Sequence, residues 1–338
     1  MKWVRNITVI VFTIFVSGFV YGQRHTATAY EYYKKEQFDS AQYWIDSAIV
    51  SDERSNSQTW QLRGIIYRKL ETADKKSYRD ISIESFVQAK NLDVDGVYAE
   101  KINDYMKNTI IRYYNDAVIA LENGDLEEAV DSYKSYKLKT KKYLSHLQQT
   151  FEKEDYEFYD VIGTAYLHKS RRLDGEQKEQ AISKAIHFCE KAIAVDSNQF
   201  SPNYSLGVLH YNRGADFIMN MDPLTPIEEI PEIEKKAQDG FKKALPYLLR
   251  AHQINPEHTD VIEAITGCYF GLYGSNDEQY MKYQKILDEK RLPELLEKHE
   301  KDPKDRETIK QLLRIYSTTF EDQEKYLEFS KKLNTLDG

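Results

Sequence analysis

Glycine, proline and cysteine are all scarce in this chain of 338 residues, which holds 14 Gly, 8 Pro and 2 Cys. An all-β sandwich with many tight turns needs more glycine and proline, so the composition disfavours that class. Two cysteines cannot form the disulfide framework of a small secreted domain. The fold is therefore predicted to rest on an apolar core, for which 41% hydrophobic residues are available.

Positive charge is also in deficit, because 47 Lys and Arg stand against 55 Asp and Glu. The formal net charge is −8. Nucleic-acid binding needs Lys and Arg clustered on one surface to neutralise phosphates. No nucleic-acid partner is expected, and the acidity is typical of a solvated, charge-covered surface.

Motifs for common chemistry are missing as well. The chain has no Gly-x-x-x-x-Gly-Lys-Ser/Thr, Gly-x-Gly-x-x-Gly, His-Glu-x-x-His or Gly-x-Ser-x-Gly. No two of its eight histidines stand four residues apart, the helical spacing that aims two rings at one metal. No catalytic residue, metal ligand or cofactor is predicted, and the chain is interpreted as a non-enzyme. A hydrolase-like enzyme is kept as a distant alternative.

The amino terminus has the three parts of a secretory signal. Lys2 and Arg5 form a positive region, and an apolar stretch follows from Ile7 to Tyr21. This stretch is shorter than the ~20 residues needed to cross a bilayer. Cleavage is expected after Gly22, which would remove residues 1–22. A lipoprotein anchor is not expected, because no cysteine lies near this site. The protein is predicted to be periplasmic or secreted with no remaining membrane span, with an uncleaved anchor as the alternative.

Helical periodicity dominates from Thr26 to the end of the chain. The best-formed unit covers residues 110–143 and places small and aromatic residues on either side of a glycine turn. Its residues are Tyr113, Ala117, Ala120, the turn Asn123-Gly124-Asp125-Leu126, and then Ala129, Tyr133 and Tyr136. Five further units repeat this order, for example Trp60, Gly64 and Tyr67 followed by Phe86 and Ala89. A last stretch from Asp305 to Leu336 suggests a seventh pair or a cap.

This pattern resembles the tetratricopeptide repeat. The resemblance implies an all-α fold, a right-handed α-solenoid of antiparallel helix pairs, in which small residues let two helices approach and glycine supplies the turn. A single domain over residues 23–338 is predicted. Its units lie at about 26–53, 57–95, 110–143, 156–198, 200–257, 260–290 and 303–336.

Three units are longer than the family's pattern at the turn between their helices. The largest insertion lies within residues 211–243 and contains Met221-Asp-Pro-Leu-Thr-Pro226. In this respect the chain looks like secreted tetratricopeptide proteins of Bacteroidota. Insertions in a repeat array often collect near a binding surface. Longer helices joined by a tolerated loop are the competing explanation.

The repeat register also bears on two smaller questions. Cys189 and Cys268 are separated by a whole unit, so both are predicted to be free, buried thiols. The segment Asn91-Leu-Asp93-Val-Asp95-Gly96 copies the first half of a calcium loop, but its twelfth position is Ile102 rather than glutamate. An inter-repeat turn is the favoured interpretation of this segment.

Tyrosine is unusually common, with 26 residues. Tetratricopeptide families bind extended peptides along their first helices, on the concave face. Carried across by register, the resemblance implies a peptide groove made by Tyr30, Tyr33, Arg68, Lys69, Tyr114, His168, Tyr204, Tyr211 and Asn212. Ordinary packing between repeats is the other explanation of these tyrosines.

The sequence therefore predicts an exported scaffold without enzymatic activity that holds a protein or peptide on its concave face. The alternative is a structural subunit of a cell-envelope assembly, which would use the convex face or the 211–243 insertion. The identity of the partner and the oligomeric state are not predicted.

Overall fold

A computed structural model describes residues 24–145 and 150–336, and this part of the chain contains fourteen α-helices and no strand. The all-α prediction is confirmed. The signal-peptide prediction for residues 1–22 lies outside the described residues. None of the helices in the described ranges is long and apolar enough to cross a membrane.

The chain forms two compact units. Unit 1, Met1–Thr150, holds three helix pairs and unit 2, Phe151–Gly338, holds four. The helices of unit 1 are α1 Arg24–Lys34, α2 Phe38–Ala48, α3 Ser57–Leu70, α4 Ser77–Leu92, α5 Ala99–Asn123 and α6 Leu126–Tyr143.

Unit 2 continues the pattern of paired helices. Its helices are α7 Glu152–Ser170, α8 Gly175–Val195, α9 Phe200–Met219, α10 Ile230–Ile254, α11 Thr259–Tyr273, α12 Glu278–Lys301, α13 Arg306–Arg314 and α14 Gln323–Thr335. In both units the partners of a pair follow each other in the chain and pack together. The predicted antiparallel helix pairs are thus confirmed, whereas the single domain over residues 23–338 stays a prediction.

Small residues allow this packing, as the repeat pattern predicts. A Cβ atom added at Gly64 would lie 2.5 Å from the ring of Phe86 on the partner helix. One added at Gly163 would lie 2.7 Å from the Cys189 sulfur. Both contacts are closer than carbon atoms tolerate, so only glycine permits the observed approach of the two helices.

Turns also fall where the sequence places them. Gly124 ends α5 with φ of 80°, in the left-handed region that favours glycine. Gly96, with φ of 70°, lies in the connection between α4 and α5. There Asp93 Oδ2 accepts a hydrogen bond from the Tyr98 amide at 2.8 Å. The predicted inter-repeat turn at residues 91–96 is confirmed.

The insertions lengthen helices more than they lengthen loops. In the 211–243 segment, α9 continues to Met219 and α10 already begins at Ile230. Gly214 and Gly240 lie against each other where the extended helices cross, and a Cβ at Gly240 would be 2.7 Å from the Gly214 Cα. The two extended helices therefore form a close-packed hairpin that ends in the short connection 220–229.

Both cysteines are free and buried, as predicted. Burial raises the pKa of Cys189 and of Cys268 to about 12, from an ordinary value of 9.0. Thiols of this kind stay protonated at neutral pH and are poor nucleophiles.

We expect neither thiol to react with Ellman's reagent in the folded protein, and both to react in urea. Because their pKa values are raised on folding, the unfolded chain loses these protons first as pH rises. The stability they contribute is complete below pH 9.0 and falls as pH approaches about 12. Thiol titration and urea unfolding across this pH range measure both effects. Rapid modification of the folded protein would contradict the burial.

Candidate peptide-binding surface

The first helices of the three pairs in unit 1, α1, α3 and α5, bring one arginine and two tyrosines together. Tyr33 comes from α1, Arg68 from α3 and Tyr105 from α5, and all three are partly buried. Each tyrosine is close enough to influence the pKa of Arg68. We call these three residues the Arg68 site, and the face made by α1, α3 and α5 the first-helix face.

A buried ionic network lies next to this site and is centred on Glu71. Arg79 donates to Glu71 Oε1 through Nε at 2.7 Å, and Arg112 donates to Glu71 Oε2 at 2.6 Å. Arg79 also pairs with Asp116 at 2.9 Å. Only 5% of the Arg79 side chain and 6% of the Glu71 side chain are exposed. Both oxygens of Glu71 are thus engaged by arginines other than Arg68.

Arg68 is consequently left without an acidic partner in the part of the chain that the structure describes. Its Nε is buried and makes no hydrogen bond. Burial lowers the pKa of Arg68, and the positive charge of Arg112 lowers it further. Arg112 is held nearby, since it also donates to the Arg68 carbonyl oxygen at 3.1 Å. The three guanidinium groups of Arg68, Arg79 and Arg112 thus lie near two carboxylates, those of Glu71 and Asp116, which leaves one net positive charge here.

The two tyrosines form apolar walls with polar tips. Burial raises the pKa of both Tyr33 and Tyr105, and Arg68 opposes this shift by a smaller amount. Both phenols are therefore neutral donors at physiological pH. Tyr105 stacks on Phe86 with 5.6 Å between ring centroids, and Tyr33 packs on Phe38 at 5.7 Å. These contacts hold the rings in fixed positions around the arginine.

The other predicted groove residues of unit 1 have different surroundings. Tyr30 is 8% exposed and belongs to the core of the first pair. Lys69 is exposed. Tyr114 packs inside its own pair, with its ring centroid 5.4 Å from that of Tyr136. Of the five residues predicted here, the structure brings Tyr33 and Arg68 together.

In unit 2 the predicted residues divide between packing and exposure. Tyr204 stacks on Phe200 at 5.4 Å and donates to Asp260 at 3.3 Å, which links α9 to α11. Tyr211 packs beside Phe241 and would meet any Cβ added at Gly267. Two others are exposed, namely His168 and Asn212. Tyr204 and Tyr211 therefore pack between neighbouring helices, and this packing explains why large side chains occur at these two positions.

Tyr105, Arg112 and Glu71 were missed by sequence reasoning. The repeat pattern places the start of the third unit near residue 110, whereas α5 begins at Ala99. Tyr105 lies in these additional turns. The sequence does contain a signal for these turns. Ile102, Met106 and Ile110 follow each other at helical spacing and are all buried, which indicates a helix that begins before residue 110.

A concavity lies in unit 2, between α8, α9 and α10. It has a volume of about 690 Å³ and mixed charge on its walls. Its lining includes Glu190, His210, Arg213, Lys243 and Tyr247. Burial lowers the pKa of His210, and the nearby Lys243 and Arg213 add to this effect. The groove combines both signs of charge, so it selects less clearly for one ligand class than the Arg68 site does.

The described residues contain no group of three or more His, Cys, Asp or Glu side chains that could hold a metal ion. The charged groups next to Arg68 are Arg79 and Arg112 with their carboxylate partners. This arrangement suits recognition of an anion.

Comparisons with known proteins add little to this picture. No family model matches the chain, and no curated protein matches it. A solved structure of a monomeric IFIT1 mutant with Gppp-AAAA is 11% identical, covering 91% of this chain and 79% of that chain at a TM-score of 0.24. The human IFIT1 dimer with PPP-AAAA is 14% identical, covering 93% of this chain and 72% of that chain at 0.23. At such values neither similarity transfers a ligand or an activity to this chain.

Proposed function

We propose that the protein is a helical-repeat scaffold that holds a protein or peptide segment on the first-helix face, with a carboxylate of the partner bound at Arg68. The observation that carries the proposal is a partly buried guanidinium with a buried, unbonded Nε and no ion-paired carboxylate, near Tyr33 and Tyr105. The register carried over from the tetratricopeptide resemblance puts peptide ligands on the same face.

The unpaired charge of Arg68 has an energetic cost. A charge partly withdrawn from water without a counter-charge raises the free energy of the folded state. A ligand carboxylate offsets that cost and can accept two parallel N–H bonds from a guanidinium. The carboxylates near Arg68 are already taken, because Glu71 is held by Arg79 and Arg112. An incoming acidic residue or chain terminus therefore does not have to displace a carboxylate that is hydrogen-bonded to Arg68.

The tyrosines give the site its remaining selectivity. Tyr33 and Tyr105 offer large, rigid surfaces at low conformational cost, with hydroxyl groups that can hydrogen-bond a peptide backbone. Their raised pKa values keep those hydroxyls protonated. An extended segment with an acidic residue beside an apolar one matches this surface best.

The proposal includes export and an absence of catalysis. The signal-like residues 1–22 support export to the periplasm or beyond. The elongated pair that ends in Phe241-Lys-Lys-Ala-Leu-Pro-Tyr-Leu supports the likeness to secreted tetratricopeptide proteins of Bacteroidota. The groups at the Arg68 site are an arginine and two protonated phenols, none of which is a general base near neutral pH. Binding accounts for this arrangement and catalysis does not.

Replacing Arg68 by Gln should weaken the binding of carboxylate-bearing peptides by about tenfold or more, because a charge-assisted pair is lost. Peptides are first selected from a random display library on the full chain without residues 1–22. Affinities of the selected peptides are then measured by fluorescence anisotropy for the parent and for Arg68→Gln.

Lys69→Gln is the matched control, because it removes the same charge from the next position of α3. Lys69 is exposed, so this variant should change the affinity by less than about twofold. Blocking the peptide carboxylates as amides should reproduce the effect of Arg68→Gln. Selection of peptides without acidic groups, or equal losses in the two variants, would refute the proposal.

A further inference from the structure

The hairpin tip, residues 214–234, carries large apolar side chains into solvent. This segment comprises the end of α9, the connection 220–229 and the start of α10. Met219 is 81% exposed, Leu224 88% and Ile227 81%, and both Phe217 and Ile218 are 43% exposed. Single exposed apolar residues are ordinary, but five within one hairpin indicate a surface that another molecule covers.

The tip is also well ordered by its own contacts. The Asp222 carboxylate accepts from the Leu224 amide at 2.8 Å, and the Asp222 carbonyl oxygen accepts from the Thr225 amide at 2.8 Å. Behind the tip, Phe241 packs into the space that Gly214 leaves open. A preorganised apolar surface loses little entropy on binding.

The charge of the tip indicates the chemistry of its partner. Residues 214–234 include six acidic side chains and no Lys, Arg or His. All six are exposed, and they are Asp216, Asp222, Glu228, Glu229, Glu232 and Glu234. Glu232 is paired with Lys236 at 2.8 Å. Arg213 and Lys235 flank the segment, so the apolar side chains are bordered by a rim of net negative charge.

We infer that the hairpin tip docks into a partner protein whose surface has an apolar hollow bordered by Lys and Arg. Opposite charge around an apolar centre steers association and fixes orientation. The same rim disfavours an anionic lipid surface, which attracts basic segments instead. This surface lies in unit 2 and its evidence is independent of the Arg68 site, so the scaffold presents one surface for an acidic segment and another for a basic one.

The test uses a synthetic leucine–lysine helix with all leucines on one face as the probe for such a partner. The full chain without residues 1–22 is titrated with it, and affinity is read by fluorescence anisotropy. Leu224→Ser/Ile227→Ser should weaken binding by about tenfold. Glu228→Gln/Glu229→Gln should weaken it by about threefold, with a reduced dependence on salt.

Three controls decide the outcome. Glu294→Gln/Glu300→Gln removes the same charge from exposed positions of α12 and should leave the affinity within about twofold. A leucine–glutamate helix of the same design should bind at least about tenfold more weakly. Circular dichroism confirms that every variant stays helical.

Several results would overturn the inference. Equal weakening by the α12 variant would mean that the probe senses net charge alone. Binding of phosphatidylcholine vesicles that Leu224→Ser/Ile227→Ser abolishes would assign the tip to a lipid surface. Self-association in sedimentation equilibrium that the same variant abolishes would assign the tip to a second copy of the chain.

Discussion

Replacing Arg79 by Ala should lower the free energy of unfolding of unit 1 by roughly 3–5 kcal/mol, the cost of removing one partner from a buried ion pair. Arg79 is the central cation of the Glu71 network, with contacts to Glu71 and Asp116. Its guanidinium also lies over the Tyr113 ring, 4.3 Å from the centroid. Without Arg79, Glu71 would keep only Arg112 in a nearly dry environment.

Urea unfolding followed by tryptophan fluorescence measures this effect. After removal of residues 1–22 the remaining tryptophans are Trp44 and Trp60, both in unit 1, so the signal reports that unit. Lys76→Ala is the control, because its 2.6 Å pair with Glu128 is half exposed on both sides. Exposed pairs contribute about 0–1 kcal/mol. An Arg79→Ala loss no larger than the Lys76→Ala loss would show that the network does not stabilise the unit.

The same network links stability to the proposed binding site. Arg79 and Arg112 occupy both oxygens of Glu71, which lies three residues after Arg68 and directly follows the end of α3. Were Glu71 free, it would be the nearest internal partner for Arg68. The buried ion pairs therefore occupy both Glu71 oxygens and leave the Arg68 guanidinium available to a ligand.

The helix pairs could be predicted from sequence because their determinants are local and repeated. Gly64 and Gly163 each lie four residues after one aromatic residue and three before another. The structure places Phe86 and Cys189 of the partner helices against these two glycines. Gly124 ends α5 in the left-handed conformation, which glycine adopts more easily than other residues, so this helix end can be predicted from the residue type. Such signals need no knowledge of the tertiary structure.

The Arg68 site could be predicted only in part, because the availability of Arg68 for a ligand depends on ion pairs between residues distant in sequence. Register placed Tyr33 and Arg68 on the first helices, but only the structure shows that Arg79 and Arg112 take the Glu71 oxygens. A tyrosine that packs between helices, such as Tyr211, also has the same sequence signature as one that faces a ligand. Composition cannot separate these two roles, because a large amphipathic ring suits both.

A buried carboxylate, that of Asp288, accepts hydrogen bonds from the last helix pair, as Glu71 does from arginines in unit 1. Asp288 on α12 is fully buried. It accepts from Arg314 Nη1 at 3.0 Å, from Gln284 at 2.9 Å and from the Thr319 hydroxyl. Arg314 ends α13, and Thr319 ends the π-helical turn Ile315–Thr319 that follows it. Asp288 therefore fixes both segments to α12.

Replacing Arg314 by Ala should destabilise the last pair by roughly 1–3 kcal/mol, because the buried Asp288 carboxylate loses its counter-charge while the Arg314 side chain itself is 43% exposed. Hydrogen exchange read by mass spectrometry should show faster exchange in residues 306–335, with the helices of unit 1 unchanged. Lys325→Ala, which breaks an exposed pair with Glu328, should have an effect of about 0–1 kcal/mol.

The double variant Asp288→Leu/Arg314→Leu separates loss of a pair from exposure of a buried charge. Replacing both partners by apolar groups of similar size is often nearly neutral, so the double variant should recover most of the protection that Arg314→Ala loses. Equal destabilisation in the single and double variants would mean that the hydrogen bonds to Gln284 and Thr319 hold the segment instead. Recovery would show that the cost lies in the unpaired Asp288 carboxylate, as the full burial of that side chain requires.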